Sequence, residues 1–240
     1  MNSGRTKTVL ITGAAGGLGS ALSIVASLGG WRVVMLDKDK RRLEVAYDAI
    51  VVAGGIEPYL QIVDLSRVGP EDCQQLADAL QGQSGNLDAI VHCAVAFEGL
   101  QPLDLIEPEL WLQQVQVNIN APWLLSIKLL PLLRRGDSPR LVFILDQQAE
   151  SKPLWGTYGL CKAAVRALAA QFDAELRNSG VQVHSIDPGP MRSALRSSVY
   201  HSENPNEVIS PGIRAKQLFS IIDDCSFAGG CYVDLRVSVD

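Results

Sequence analysis

A short β-branched run, Thr8–Thr12, leads directly into Thr12-Gly13-Ala14-Ala15-Gly16-Gly17-Leu18-Gly19, and a helical pattern begins at once. Glycines between strand and helix let the chain turn sharply and let another backbone or an anion approach, because no Cβ stands in the way. Leu18, Ala21, Leu22, Val25 and Leu28 then fall on one face of a helix predicted over 18–28. That helix would present unpaired N–H groups and the positive end of its dipole to a pyrophosphate. The same glycines read equally as a tight turn that packs helix on strand.

The strand–helix unit recurs along the chain. Apolar strands are predicted over 32–36, 59–63, 87–93, 141–145, 181–186 and 231–237. Helical patterns run through 41–52, 70–80, 108–133 and 157–178. Strands apolar on both faces, alternating with long helices, imply a parallel sheet covered on both sides. Right-handed crossovers make the doubly wound arrangement the default. With 240 residues and no linker or repeat, the chain reads as one α/β domain spanning 1–240. The least regular stretch, 188–212, is rich in proline, glycine, serine and asparagine and reads as a lid over a substrate.

Charge narrows the partners. Twenty-one basic against 26 acidic residues leave a net charge of −5, which disfavours nucleic acid and anionic membrane surfaces. The low-charge run 9–31 imitates a signal peptide or membrane span, but its repeated glycines break it into pieces, so no membrane partner is expected. Cys73, Cys93, Cys161, Cys225 and Cys231 are scattered without a Cys-x-x-Cys pair. They read as free thiols of a reducing compartment, hence a cytoplasmic protein. His92 beside Cys93 resembles half a metal site, but strand neighbours point to opposite faces, and no metal is expected.

Asp37 ends the second strand, where a carboxylate can accept from ribose hydroxyls and would repel a 2′-phosphate. NAD(H) is therefore expected in preference to NADP(H), a preference softened by Lys38, Arg41 and Arg42. Asp37 could equally cap the next helix. Tyr158 and Lys162, four apart in a helical pattern, share a face. A nearby ammonium can lower the pKa of a phenol and make it a useful acid or base.

Together these pieces resemble the short-chain dehydrogenase/reductase family over nearly the whole chain. The resemblance rests on TGxxxGxG at 12–19, Asp64-Leu65, Asn118, Tyr158-x-x-x-Lys162 and Pro188-Gly189. It implies a single Rossmann-type domain with a mostly parallel seven-stranded sheet and helices on both faces. It also implies hydride transfer between a nicotinamide cofactor and an alcohol or carbonyl. On that pattern Tyr158 is the acid/base, Lys162 holds the nicotinamide ribose, and Asn118 anchors a water in a proton relay. Gly13, Gly17, Leu18, Gly19, Asp37, Asp64, Leu65 and Ala94 would line the cofactor, with Pro188, Gly189 and Ser193 at its nicotinamide and pyrophosphate. Pairing through the helices of Asn118 and Tyr158 would give a homodimer or homotetramer, in keeping with Trp111, Val115, Trp123, Leu124 and Leu125 on several helix faces.

The chain departs from the family pattern twice. His92-Cys93-Ala94-Val95 stands where an Asn-Asn-Ala-Gly-like stretch is usual, so Val95 narrows the space beside the cofactor. No serine follows the fifth strand; aligning strands puts Asp146 there, and counting back from Tyr158 gives Leu145. An ionised Asp146 accepts hydrogen bonds but cannot donate to a carbonyl, and it would raise the pKa of Tyr158. Three outcomes stay open. Asp146 is protonated and donates, it binds an alcohol as acceptor, or Gln147 or Ser151 supplies the donor. The alternative is a nucleotide-binding or regulatory protein with impaired chemistry. A sugar-nucleotide epimerase or dehydratase would share the Tyr-Lys pair but needs more chain after Gly189.

Overall fold

The computed structural model describes residues 5–227 and 230–236, with the side chain of Cys231 left aside. Seven strands form one parallel sheet in the order β3-β2-β1-β4-β5-β6-β7. They are β1 (Thr8–Thr12), β2 (Arg32–Asp37), β3 (Tyr59–Ile62), β4 (Ala89–His92), β5 (Arg140–Ile144), β6 (Gln182–Asp187) and β7 (Cys231–Asp234). Each expected strand is present, with ends shifted by at most a few residues; Val237 lies outside the described residues.

Alternation along the strands explains the two covered faces. Leu10, Val34, Leu36, Ile90, Leu141 and Phe143 point into one core, while Val9, Ile11, Val33, Met35, Val91 and Val142 point into the other. The first core is closed by α3 (Pro70–Gln83), α5 (Ala121–Leu133) and α6 (Gly156–Leu176), the second by α1 (Gly17–Leu28), α2 (Lys40–Val52) and α8 (Pro211–Asp223). Helix α8 was not expected from the sequence. It covers the sheet with Ala215, Leu218, Ile221 and Ile222 and packs beside α1.

The helix expected over 108–133 is continuous in direction but not in winding. It divides into α4 (Pro108–Val115), a π-helical turn Gln116–Asn120, and α5. Within the irregular stretch 188–212 lie the short helix α7 (Ala194–Val199) and a 3₁₀ turn, Pro205–Glu207. No described helix is long and apolar enough to cross a membrane. His92 is a core residue: it stacks on Phe143 at 5.1 Å between centroids and bonds Ser126 Oγ at 2.9 Å. Burial holds its pKa down to about 3, so the ring is neutral. Among the described residues no group of His, Cys, Asp and Glu is arranged to hold a metal ion.

At the opposite edge of the sheet a single buried carboxylate ties three segments together. Asp88 accepts from Thr8 N and Asp137 N, each at 2.8 Å, and from the Arg5 guanidinium at 2.7 and 2.9 Å. Asp88→Ala would leave the N–H groups of Thr8 and Asp137 without that acceptor and Arg5 with the Asp137 carboxylate alone. The loss expected is about 2–4 kcal/mol of unfolding free energy. Urea denaturation should show it as a lower midpoint with an unchanged slope.

Candidate active site

All strands run the same way, so their C-terminal ends meet at one edge, and a cleft of about 680 Å³ opens there. At its floor the turn after β1 is closed by sterics. A Cβ at Gly19 would stand 2.2 Å from Gly13 O, and one at Gly13, whose φ is +65°, would stand 2.7 Å from Ala94 Cα. A Cβ at Gly17 would meet Ser193 and Arg192 O only at ordinary contact distances of 3.6 to 3.9 Å, and Gly17 lines the cleft. Helix α1 has no side-chain cap and no acidic residue in its first turn, which suits its N–H groups to an anion.

Leu18, Asp64, Leu65, Ala94, Pro188, Gly189 and Ser193 all line the same cleft. Asp64 accepts from Ser66 N and Oγ, and those bonds hold its carboxyl below the usual range. Ser193 caps α7 by accepting from Arg196 N at 3.1 Å. Thr12 Oγ1 accepts from Ala94 N at 3.1 Å, joining the first turn to the loop after β4. Val95 borders the cleft half-exposed, as its bulk beside Ala94 suggested.

Asp37 reaches the cleft in a different condition from that expected. Oδ2 accepts from Ala15 N at 3.0 Å and Oδ1 from Asp39 N at 3.1 Å. Both oxygens therefore brace the chain's own turns, and the cap of α2 is Asp39, which accepts from Arg42 N. Lys38 and Arg42 line the cleft beside Asp37, whereas the exposed Arg41 does not.

Across the cleft Tyr158, 4% exposed, donates from Oη to Asp146 Oδ2 at 3.1 Å. Of the two residues expected after the fifth strand, Asp146 is the one that meets Tyr158, and Leu145 is buried. Burial foremost, and then the Asp146 charge, push the Tyr158 phenol well above its usual range, so Lys162 does not prevail there as expected. Lys162 Nζ instead donates to Ile144 O at 2.8 Å and sits 5.5 Å from the Tyr158 ring centroid. Burial draws its pKa down, partly offset by Asp146.

The two candidate replacement donors are not in the cleft. Gln147 turns away to accept from Tyr232 Oη at 3.0 Å and Arg236 at 3.1 Å, and Ser151 is an exposed residue with φ +59°. Gln148, which was not anticipated, does line the cleft. Asn118 sits buried in the π-turn. Its Oδ1 accepts from Ala96 N and its Nδ2 donates to Ala96 O, both at 2.9 Å.

Asp187 and two aromatic residues were also missed. Buried Asp187 accepts from Gln147 N at 2.9 Å and Gly189 N at 2.8 Å, locking the loops after β5 and β6 to each other. Phe97 and Trp155 border the cleft around Tyr158, with ring centroids 5.2 to 5.7 Å apart. The Asp immediately before Pro188 was a visible signal; the aromatic grouping depends on a loop whose path no periodicity reveals.

Comparison with known proteins agrees with this geometry. The sequence model of the family described as short chain dehydrogenase matches residues 7–204. An uncharacterized oxidoreductase, YciK, of Escherichia coli strain K12 is 30% identical over 210 residues, covering 85% of this chain and 81% of that protein. A short chain dehydrogenase from Shigella flexneri 2a strain 301, complexed with NADP, superposes with a TM-score of 0.92 at 27% identity, over 97% of this chain and 98% of that one. One from Escherichia coli CFT073, complexed with NADPH, gives 0.92 at 28% identity with the same coverage. These two complexes overturn the expected preference for NAD. The physical reason available is Lys38 and Arg42, which line the cleft beside Asp37 and whose charges oppose the repulsion its carboxylate would exert on a 2′-phosphate.

The Asn118 clamp is open to a direct check. Asn118→Ala would remove both partners of the Ala96 peptide and free the loop carrying Ala94 to Phe97. A loss of about 2–3 kcal/mol is expected in chemical denaturation, with faster amide exchange confined to residues 94–97.

Proposed function

The chain belongs to the short-chain dehydrogenase family, and from that premise we propose that it is an NADP(H)-dependent oxidoreductase acting on a small molecule through Tyr158. The observation that carries the reading is a single cleft bordered at one end by the glycine turn with Lys38 and Arg42, and at the other by Tyr158, Lys162 and Asp146. The turn fits a dinucleotide, because it closes only with Gly13 and Gly19 and leaves Gly17 on the lining of the cleft. Gly13, Gly17, Leu18 and Gly19 would cradle the pyrophosphate at the start of α1, and Lys38 and Arg42 would hold the 2′-phosphate. Asp64 and Leu65 would flank the adenine, and Ala94, Pro188, Gly189 and Ser193 would border the nicotinamide half. When bound, the cofactor supplies the hydride equivalent.

The chain's own residues then do the rest. Tyr158 exchanges a proton with the reacting heteroatom, and Lys162, anchored on Ile144 O, fixes the edge of the site and reaches the nicotinamide ribose. Asn118 acts by position, through Ala96. The stretch 188–212, with Met191, Leu195 and Tyr200 facing the cleft, serves as the substrate-side lid. Exposed Trp111, Leu112, Trp123 and Leu160 on α4, α5 and α6 suit an interface between copies of the chain.

One observation favours a second reading. The Tyr158 hydroxyl is committed to Asp146, an arrangement poor for donating to a carbonyl. On that view the protein binds NADP(H) without efficient chemistry. Fluorescence titration with NADPH and NADH, joined to turnover assays on alcohols and carbonyls, separates the two. The proposal expects NADPH to bind more tightly, and Lys38→Ala or Arg42→Ala to weaken NADPH roughly tenfold while leaving NADH little changed. Tyr158→Phe should lower turnover by about 10²–10⁴ with NADPH binding intact. Binding without turnover in the wild-type chain would favour the second reading, and a preference for NADH would contradict the cofactor assignment.

A further inference from the structure

Resting on the oxidoreductase reading, we infer that the substrate end of the cleft takes a cationic nitrogen, as a protonated imine in the oxidised substrate and an ammonium in the reduced one. The side chain placed to meet the reacting heteroatom is Asp146, an acceptor whose Oδ2 already receives the Tyr158 hydroxyl. Gln147 is turned toward Tyr232 and Arg236 and Ser151 lies outside the cleft, so of this loop only the Gln148 amide reaches the cleft beside Asp146. An ionised carboxylate there opposes the negative charge that grows on a carbonyl oxygen during reduction, and it favours a positive charge on nitrogen.

The rings give a second, independent indication. Phe97, Trp155 and Tyr158 lie edge to face or tilted against one another and border the same cleft as Asp146. Aromatic faces beside a carboxylate are the chemistry that holds alkylated ammonium and iminium groups. Of the nearby cations, Arg196 is held by Glu203 in a two-point pair at 2.5 Å and lies over the Tyr200 ring, whereas Lys162, anchored on the neutral Ile144 O, keeps its interaction with Asp146 and leaves the rings and the outer side of that carboxylate to the substrate.

The reduction balances without a proton from Tyr158. A C–H bond forms at the imine carbon as the C4–H bond of NADPH breaks, the C=N π pair moves onto nitrogen, and NADPH becomes NADP⁺. The nitrogen already carries its proton and leaves as an amine, which takes a further proton from water. Tyr158 orients Asp146 in this case, and its acid role is needed only where the heteroatom arrives unprotonated.

Binding and turnover together test the inference. In the NADP⁺ complex, pyrrolidine hydrochloride should bind at least tenfold more tightly than cyclopentanol, a neutral five-membered-ring alcohol of similar size, by calorimetry. Asp146→Asn, folded by circular dichroism and still binding NADP⁺, should lose that preference. With NADPH, 2-methyl-1-pyrroline should be reduced with a kcat/KM at least tenfold above that of 2-methylcyclopentanone, and Asp146→Ser should reverse the order. Equal binding of cation and alcohol, or an unchanged order in Asp146→Ser, overturns the inference. Ketone reduction alone by the wild-type chain overturns it and leaves the oxidoreductase reading standing. Absence of turnover of either probe by either protein, with NADPH bound, counts against both.

Discussion

Parallel pairing of all seven strands carries every strand's carboxyl end to the same edge of the sheet, and the contents of the cleft follow from that constraint. Parallel strands need crossovers, crossovers put helices on both faces, and buried faces require apolar residues at both parities of each strand. Polar side chains are thereby displaced to the strand ends. Asp37, Asp146 and Asp187 each stand at or just beyond the end of a strand and face the cleft.

Those loops are not independent. Thr12 accepts from Ala94, Asn118 pairs with both sides of Ala96, and Asp187 receives N–H groups from the loops after β5 and β6. A displacement in one loop would leave buried polar groups unpaired in the next, at about 1–3 kcal/mol each. The π-turn belongs to the same device. It places Asn118, 4% exposed, where the Ala96 peptide lies, and such turns recur at functional sites. Tyr158 and Lys162, held by Asp146 and by Ile144 O, then face a frame in which the first turn is bonded to the loop after β4 and the loop after β5 to that after β6.

Much of this was legible in the sequence, and what was not has physical reasons. Strands were readable because Leu10 and Ile11, or Val142 and Phe143, are apolar on both faces, a pattern few other structures need. Asp146 is reached by strand alignment, and its carboxylate accepts from Tyr158 Oη. The role of Asp37 was misread because its partners are the backbone N–H groups of Ala15 and Asp39, which no residue type announces. Asp187 was overlooked for the same reason. Helix α8 was missed although Ser210-Pro211 starts it and Ala215, Leu218 and Ile222 keep helical spacing, because the preceding proline- and serine-rich stretch dominated the reading.

The cleft divides into a glycine-turn end, with Lys38 and Arg42 beside Asp37 and Asp64, and a far end, with Asp146 and Lys162 among aromatic rings. The most direct test of that division is a crystal structure of the protein with NADP⁺. The account predicts the 2′-phosphate against Lys38 and Arg42, Asp37 still bonded to Ala15 N and Asp39 N, and the nicotinamide beside Tyr158. Asp37 released from its turn onto the ribose hydroxyls, with Lys38 and Arg42 pointing into solvent, would contradict it.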